Sequence, residues 1–341
     1  MMDACGRLCP VRFDIREESR MENKQREYLF DNYKVLLIVL VVIGHFIEPC
    51  YDQNPFLYEL KWGIVAFHMP AFIFISGYFS KKVPSVKKLI GGLVIPYFVY
   101  EVIYYLLYTF VLDKETELYF TRPKFTLWYL MALCVWRLAA PVVRRIPYHM
   151  PITLAAGLAV GLVGIGNFLS IPRILFFFPF FLAGMEFDSV WLARFRNRQG
   201  YMGALGILGI LAVSLFADDY HHRLSVKVFY GRYSYEELGL SPAEGILVRV
   251  VCYAISFLMI YLFMLVLPSK KKSYSYLGER TMAVYIFHGL IYSCFKYRST
   301  ILGSVRSNGE SILLILFCIA LVWAVSRKPF VRLTEKIAHL V

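Results

Sequence analysis

The chain has 341 residues, of which 58% are hydrophobic and 18% charged, and its formal net charge is +13. A soluble globular chain is closer to half apolar and a quarter charged, so the composition argues against a soluble protein. In a soluble protein the positive charge would indicate nucleic acid. Here the basic residues lie in short loops between apolar runs, where membrane topology and anionic lipid explain them better. The sequence predicts a multi-span membrane protein with no nucleic-acid partner.

Residues 1–32 are polar and charged and form a predicted cytoplasmic tail, in which Met21 is a second candidate start. Ten apolar segments follow, each close to the ~20 residues that a helix needs to cross a bilayer. Their approximate bounds are 33–50, 62–80, 89–112, 125–143, 150–167, 171–187, 201–217, 246–267, 277–296 and 310–326. The sequence predicts an all-α, polytopic membrane helix bundle of about ten helices over 33–326, with a cytoplasmic tail at 327–341.

The positions of lysine and arginine predict the orientation of this bundle. The two tails and the even-numbered connections carry 24 of these residues, whereas the odd-numbered loops carry 12. Because cytoplasmic loops carry the excess of Lys and Arg, both termini are predicted to lie in the cytoplasm. An even number of spans agrees with that orientation and places the longest loop, 218–245, outside.

Four ionisable residues fall in one layer of the predicted bundle. His45, Glu101 and His288 each lie 12 residues after the cytoplasmic start of their helix. That spacing puts them ~18 Å deep in a ~30 Å core, and His68, on a helix of opposite direction, reaches ~21 Å. Such residues are costly to keep inside a membrane, so their shared depth favours a polar chamber over separately satisfied core residues.

A second layer, nearer the cytoplasm, contains small and basic residues. Ser76-Gly77 and Gly91-Gly92 flank a basic loop that carries Lys81, Lys82, Lys87 and Lys88. Small residues allow close helix approach or leave a slot, and tight packing of two consecutive helices is the stronger interpretation of this pair alone. The alternative is a narrow passage from a basic mouth to the histidines, which would suit an anionic, phosphate-bearing cosubstrate with a long thin arm.

At these residues the sequence resembles the acyltransferase 3 family of integral-membrane O-acyltransferases, and within it the fucose 4-O-acetylase-like branch of bacterial acetyltransferases. The spacing from Lys34 to His45 is similar to the basic-x10-His motif of the family. The other motifs are 67–78 (FHMPAFIFISGY), 95–97 (IPY), 127–130 (LWYL) and 277–288 (LGERTMAVYIFH). Each motif is degenerate alone, but their order over about 33–326 is specific.

The resemblance implies transfer of an acyl group, usually acetyl from cytosolic acetyl-CoA, to a hydroxyl of a sugar or cell-envelope glycan at the bacterial plasma membrane. It implies CoA binding near Lys34, Ser76 and Gly77. The chain departs from the family pattern at Lys34, where Arg is usual, and at Gly91-Gly92, near which Arg is frequent. Lys87 and Lys88 are the candidates for CoA binding in that second region.

Acetyl transfer from a thioester to an alcohol needs a base for the hydroxyl proton, and histidine suits that role near neutral pH. His45 is the predicted base, and Glu48 or Glu101 would fix its tautomer. His68 or His288 would polarise the carbonyl or hold the acceptor hydroxyl. An acyl-histidine intermediate stays open beside direct transfer. The seven cysteines show no metal-ligand spacing, so no metal is predicted.

The main alternative is a proton-coupled secondary transporter that uses the histidines as a proton relay. It predicts broken helices at matching positions of two repeated halves, whereas the sequence shows no repeat. A membrane sensor or scaffold without turnover would not explain a polar layer joined to a basic mouth. The sequence identifies neither the acceptor, the length of the acyl group nor the oligomeric state.

Two arginines and three tyrosines near predicted helix ends have simpler interpretations. Arg137 and Arg249 are predicted to reach the membrane interface, with a glycan contact as the alternative for Arg249. Tyr230, Tyr233 and Tyr235, in the long outer loop, are predicted either to anchor the interface or to stack on sugar rings.

Overall fold

A computed structural model of the protein describes residues 15–82, 85–217 and 223–338, with side chains for 28–82, 85–215 and 223–338. Over these ranges the chain is helical and contains no strand. The helices are α1 (Ile15–Phe46), α2 (Pro55–Val65), α3 (His68–Tyr78), α4 (Val86–Leu89), α5 (Ile95–Leu106), α6 (Trp128–Val143), α7 (His149–Ala159), α8 (Ile171–Glu186), α9 (Ser189–Phe195), α10 (Arg198–Ala217), α11 (Pro242–Val266), α12 (Thr281–Arg298), α13 (Asn308–Val325) and α14 (Lys328–Ala338). Residues 1–14 of the predicted tail, 218–222 of the long loop and 339–341 lie outside the described ranges.

Seven helical stretches of the described chain are long and apolar enough to cross a membrane. They are Tyr28–Phe46, Pro55–Tyr78, Val86–Val111, Phe168–Glu186, Arg198–Leu215, Pro242–Val266 and Asn308–Val325. Two shorter apolar stretches are Trp128–Val143 and His149–Leu162, and the predicted segment 277–296 overlaps α12. The predicted all-helical membrane fold is confirmed. The number of spans, the domain bounds and the orientation stay predictions.

The second predicted span is broken immediately before His68. The sequence predicts one helix over 62–80, but the structure has α2 and α3, separated at residues 66–67. Pro70 explains the break, because proline lacks an N–H and its ring clashes with the carbonyl four residues earlier, that of Ala66. The Ala66 carbonyl accepts a hydrogen bond from the Ser256 hydroxyl at 2.5 Å instead. His68 is therefore the first residue of a new helix.

Two glycines bring α3 and α8 into backbone contact. A Cβ added at Gly77 would overlap the Phe181 carbonyl oxygen, and one added at Gly184 would overlap that of Phe74. Small residues at such positions permit close approach of membrane helices. Gly91 packs in the same way against the last residue of α14. The predicted packing of consecutive helices through Gly77 and Gly91 is therefore wrong, because these glycines face α8 and α14.

Helix α1 is central to the bundle and packs against α2, α3, α11, α12 and α13. Tyr33 and Leu37 are fully buried in one hydrophobic cluster, and Val42 and Phe46 are fully buried in a second. Within a bilayer, where lipid tails are as apolar as these side chains, their burial stabilises the helix through close packing. His45 thus projects from a helix that the core holds on several sides.

Candidate active site

A cavity of about 520 Å³ runs along α1, from Lys34 to Glu48 just beyond the end of the helix. We call its two ends the Lys34 end, with Phe79 and Arg137, and the Glu48 end, with Lys61 and Tyr230. Of the predicted site residues, the cavity is lined by Lys34, His45, Glu48, His68 and Ser76. It therefore joins part of the predicted histidine layer to part of the predicted cosubstrate site.

His45 lies in the wall of this cavity, within a group of rings. Its ring centroid is 4.7 Å from that of Phe125, 5.4 Å from that of His288 and 5.9 Å from that of Tyr292. Among the described residues no group hydrogen-bonds to the His45 imidazole. Its ring nitrogens are therefore available to a molecule in the cavity.

The backbone fixes the tautomers of the other two histidines. Nδ1 lies 2.8 Å from the Ile64 carbonyl oxygen in His68, and 2.8 Å from the Val284 carbonyl oxygen in His288. Because a carbonyl only accepts, each Nδ1 carries a proton, and Nε2 of the neutral ring is an acceptor. His288 is fully buried and its Nε2 has no partner in the described chain, whereas His68 lines the cavity. Neutral His68 is thus suited to accept a hydrogen bond from a hydroxyl.

Glu48 contacts a lysine that the sequence analysis did not select. Its carboxylate pairs with Lys61 of α2 and accepts a hydrogen bond from the Tyr230 hydroxyl at 3.1 Å. Burial and the nearby Glu48 carboxylate raise the pKa of Tyr230, so its phenol stays protonated and donates. Lys61 also donates to the Gly44 carbonyl at 2.6 Å, one residue before His45. The structure thus shows the Glu48 carboxylate paired with Lys61 and not hydrogen-bonded to the His45 ring.

Glu101 positions a loop residue that packs on His45. Its carboxylate accepts the Lys124 backbone N–H at 2.7 Å and lies 3.6 Å from the Lys124 ammonium. The next residue, Phe125, has a φ of 47°, which is unusual for a bulky side chain and is maintained only by its surroundings. The Phe125 ring lies against the His45 ring in a tilted arrangement and stacks on the Tyr292 ring. Glu101 therefore reaches the histidines through the loop, and a direct bond to His45 is not present in the structure.

A sequence profile described as an acyltransferase domain matches residues 27–327. The chain belongs to this acyltransferase family. No curated protein and no solved structure matches the chain. The family and the apolar helices together make the protein a multi-pass membrane acyltransferase.

At the Lys34 end of the acyltransferase cavity, basic and hydroxyl groups lie together. The Lys34 ammonium is 2.8 Å from the Asp31 carboxylate. Ser76 and Tyr129 share a hydrogen bond of 2.5 Å between their hydroxyls. Arg137 donates to the hydroxyl of Ser80 at 3.1 Å and lines the cavity. Arg137 therefore faces the same space as Lys34, and its predicted position at the membrane interface stays a prediction.

Three predicted cosubstrate residues lie outside this cavity. Lys87 and Lys88 are exposed on α4, and neither lines the cavity. Gly77 is occupied by the close contact with α8. The structure brings Lys34 and Ser76 of the predicted set to the cavity, and it brings Arg137 there in addition.

The tyrosines predicted for the outer loop, and Arg249 beside it, lie in two places: some line the cavity and the others are buried in the core. Tyr230 and Tyr233 line the Glu48 end, whereas Tyr235 is buried and donates to the Leu158 carbonyl at 2.7 Å. Arg249 is 3% exposed and donates to the carbonyls of Gly157 and Tyr233 at 3.0 and 3.1 Å. The predicted interface position of Arg249 is wrong, because its donors tie the loop to the bundle.

Proposed function

We propose that this acyltransferase moves an acetyl group from cytosolic acetyl-CoA to a hydroxyl of a sugar or cell-envelope glycan, at the bacterial plasma membrane. The observation that carries the proposal is the single cavity that extends from Lys34 past His45 and His68 to Glu48. With both termini in the cytoplasm, the Lys34 end faces acetyl-CoA and the Glu48 end faces the glycan. Donor and acceptor then meet at the histidines.

The Lys34 end has the groups that a CoA molecule needs. Lys34 and Arg137 are positive, and such side chains bind phosphates through charge-assisted hydrogen bonds. From Lys34 to His45 the helix rises ~17 Å, a distance that a long thin pantetheine arm would bridge. The aromatic residues Phe72, Phe79 and Tyr129 line the space between.

In the proposed reaction His45 takes the proton of the acceptor hydroxyl as its oxygen attacks the thioester carbonyl. The carbon–sulfur bond then breaks, and the leaving thiolate takes the proton back from His45, giving free CoA and an acetyl ester. His68 Nε2 would accept a hydrogen bond from a neighbouring hydroxyl of the acceptor, because the single hydrogen of the attacking hydroxyl goes to His45. Phe125, fixed through Lys124 and Glu101, would limit the orientations of the His45 ring.

The transporter alternative predicts broken helices at matching positions of two halves. The break between α2 and α3 is one broken helix, and the sequence shows no repeat that would give it a counterpart. Pro70 accounts for that break locally, and the family match favours group transfer. The two functions differ in what happens to the acetyl group, because only the transferase ends with a new covalent ester.

The decisive experiment places the purified protein in liposomes, with acetyl-labelled CoA on one side and envelope glycan on the other. We expect label in the glycan that mild alkali releases as acetate, together with an equal amount of free CoA thiol. Thiol release without labelled glycan, or passage of intact acetyl-CoA across the bilayer, would contradict the proposal. Liposomes without protein are the control.

A further inference from the structure

The Glu48 end of the cavity carries more positive charge than its described acidic group neutralises. Four basic residues line it, namely Lys61, Arg173, Arg232 and Lys296. Glu48 is the one carboxylate among the described lining residues, and it is paired with Lys61. The other three cations have no acidic partner within the described part of the chain.

Arg173 is held firmly, yet most of its donors are unused. It is the third residue of α8, and its guanidinium lies 4.9 Å from the Trp128 ring centroid. One terminal nitrogen donates to the Asn167 side-chain oxygen at 3.2 Å, and Asn167 in turn donates to the Pro123 carbonyl at 3.2 Å. A guanidinium has five N–H donors. The remaining donors of Arg173 find no acceptor among the described residues.

A second arginine acts on the first. Arg232 comes from the loop before α11, and its guanidinium lies 5.4 Å from the Tyr233 ring centroid. Arg232 lines the same cavity as Arg173, and two positive charges in one cavity repel each other. Two guanidinium groups that converge on a cavity without a carboxylate form an arrangement suited to a planar anion.

We infer that the acceptor is an anionic saccharide, which binds through a carboxylate or phosphate to Arg173 and Arg232. The inference rests on the proposed function, in which the Glu48 end receives the acceptor. Trp128 and Tyr233 supply aromatic faces in the same part of the cavity, and such faces pack against apolar ring surfaces. The anion would anchor the saccharide by charge, while one hydroxyl of the same molecule reaches His45 and a neighbouring hydroxyl reaches His68.

The inference is tested by binding without acetyl-CoA, so that it does not depend on turnover. The probes are a hexuronate disaccharide, its carboxyl-reduced counterpart, a hexose phosphate and the free hexose, titrated into the full chain in nanodiscs of neutral lipid. We expect at least one anionic saccharide to bind about tenfold to a hundredfold tighter than its neutral counterpart. The difference should shrink as salt rises. Comparison of the hexuronate disaccharide with the hexose phosphate shows whether the bound anion is a carboxylate or a phosphate. If neither binds tighter than its neutral counterpart, the inference is overturned.

Variants test whether these two arginines cause the preference. Arg173→Gln and Arg232→Gln should each remove most of it, while Arg173→Lys should keep part, since the charge remains and the planar fork is lost. Arg122→Gln, at an exposed arginine outside the cavity, is the matched control and should bind as the wild type does. If an Arg173 variant fails to fold, Arg232→Gln carries the test, because the described contact of Arg232 is only with the Tyr233 ring. An unchanged preference in folded Arg232→Gln protein would overturn the inference.

Failure of the inference and failure of the proposed function give different results. Equal acetylation of neutral and acidic saccharides, with no preference in binding, rejects the anionic acceptor and leaves the transferase intact. Tight binding of an acidic saccharide that is never acetylated supports the anion site and contradicts the proposed reaction.

Discussion

His45 has aromatic neighbours on several sides and no described hydrogen bond to its ring. A catalytic base in a Ser-His-Asp site is oriented by a carboxylate, whereas here the Phe125 and Tyr292 rings restrict the imidazole by packing. The carboxylates that the sequence offered for this role, Glu48 and Glu101, act on Lys61 and Lys124 instead. Orientation by packing leaves both nitrogens of His45 without a partner in the described chain, as the proposed proton transfer requires.

His45→Ala should abolish most of the acetyl transfer and leave a folded protein. A positioned general base contributes on the order of 10²–10⁴-fold to the rate, so the loss of kcat should fall in that range. Initial rates with labelled acetyl-CoA measure it, and thermal unfolding in detergent checks the fold. His149→Ala is the matched control, because His149 pairs with Glu186 outside the cavity.

Near-normal transfer by folded His45→Ala protein would reject His45 as the base. If His45 and His288 act as one unit, their double variant should cost much less free energy than the sum of the single losses. Additive losses would mean that the neighbouring imidazoles work independently.

Lys34→Gln and Arg137→Gln should raise the KM for acetyl-CoA more than the KM for the acceptor. Each removes a positive charge from the Lys34 end of the cavity, and a charge-assisted hydrogen bond is worth about 1.5–3 kcal/mol. Steady-state kinetics at varied donor and varied acceptor separate the two effects. Lys87→Gln and Lys88→Gln are the controls and should be nearly silent, because these exposed side chains lie outside the cavity. A larger effect at Lys87 or Lys88 would place CoA on the α4 surface.

The sequence predicts a shared depth for the histidines, because helical rise alone relates residue number to depth, and that depth stays a prediction. Their lateral grouping was not predictable, since it depends on how each helix is rotated. The sequence analysis does not select Lys61, because this residue directly precedes the predicted span at 62–80. A charged residue in that position is normally assigned to a loop. The hydrogen bond from the Lys124 N–H to the Glu101 carboxylate was also not predictable, because it joins an irregular loop to a helix.

At the level of the elements, the contact between α3 and α8 depends on two glycines that face opposite backbones. Gly77→Ala and Gly184→Ala should each lower the unfolding temperature, because the helices must move apart to admit a methyl group. Overpacking of this kind costs about 1–3 kcal/mol. Gly203→Ala on α10 is the matched control, since nothing lies within 4 Å of a Cβ there.

Thermal unfolding in one detergent compares the three glycine variants directly. Equal stability of Gly77→Ala and Gly203→Ala would show that α3 and α8 do not approach as closely as the structure indicates. Because Gly77 was also a candidate CoA residue, the KM for acetyl-CoA should be measured in any folded variant.

Local signals mark some helix ends and not others. Asn54 caps α2 by accepting the Leu57 N–H at 3.1 Å, and Pro55 occupies the first helical position; both are recognisable signs of a helix start. The start predicted at 62 is too late, because it rests on hydropathy and not on these two signals. Pro70 likewise marks the break after Ala66. The match of Gly77 with Gly184 joins distant segments, so local pattern does not reveal it.

For the whole molecule, the orientation in the membrane decides which end of the cavity meets which substrate. A cysteine at Glu236, in a chain whose native cysteines are replaced, should react with an impermeant thiol reagent on intact cells, because the loop is predicted to lie outside. A cysteine at Lys270 should react only after lysis. Both positions are exposed, so accessibility from one side is the variable. The reverse pattern would place the Lys34 end outside and would separate it from cytosolic acetyl-CoA.

The basic lining of the cavity also has an electrical consequence. A cavity that follows most of a membrane-spanning helix risks a leak of protons and sodium ions, which would dissipate the gradient across the bilayer. Fixed positive charges in a narrow passage repel small cations. The described lining has a single carboxylate beside the basic residues Lys34, Lys61, Arg137, Arg173, Arg232 and Lys296. Vesicles that contain the protein should therefore hold a pH gradient as long as empty vesicles do, as followed with an enclosed pH-sensitive dye. Replacing both Arg173 and Arg232 with glutamine should make the vesicles leak, because the charges that attract an anion also repel protons and sodium ions from the cavity.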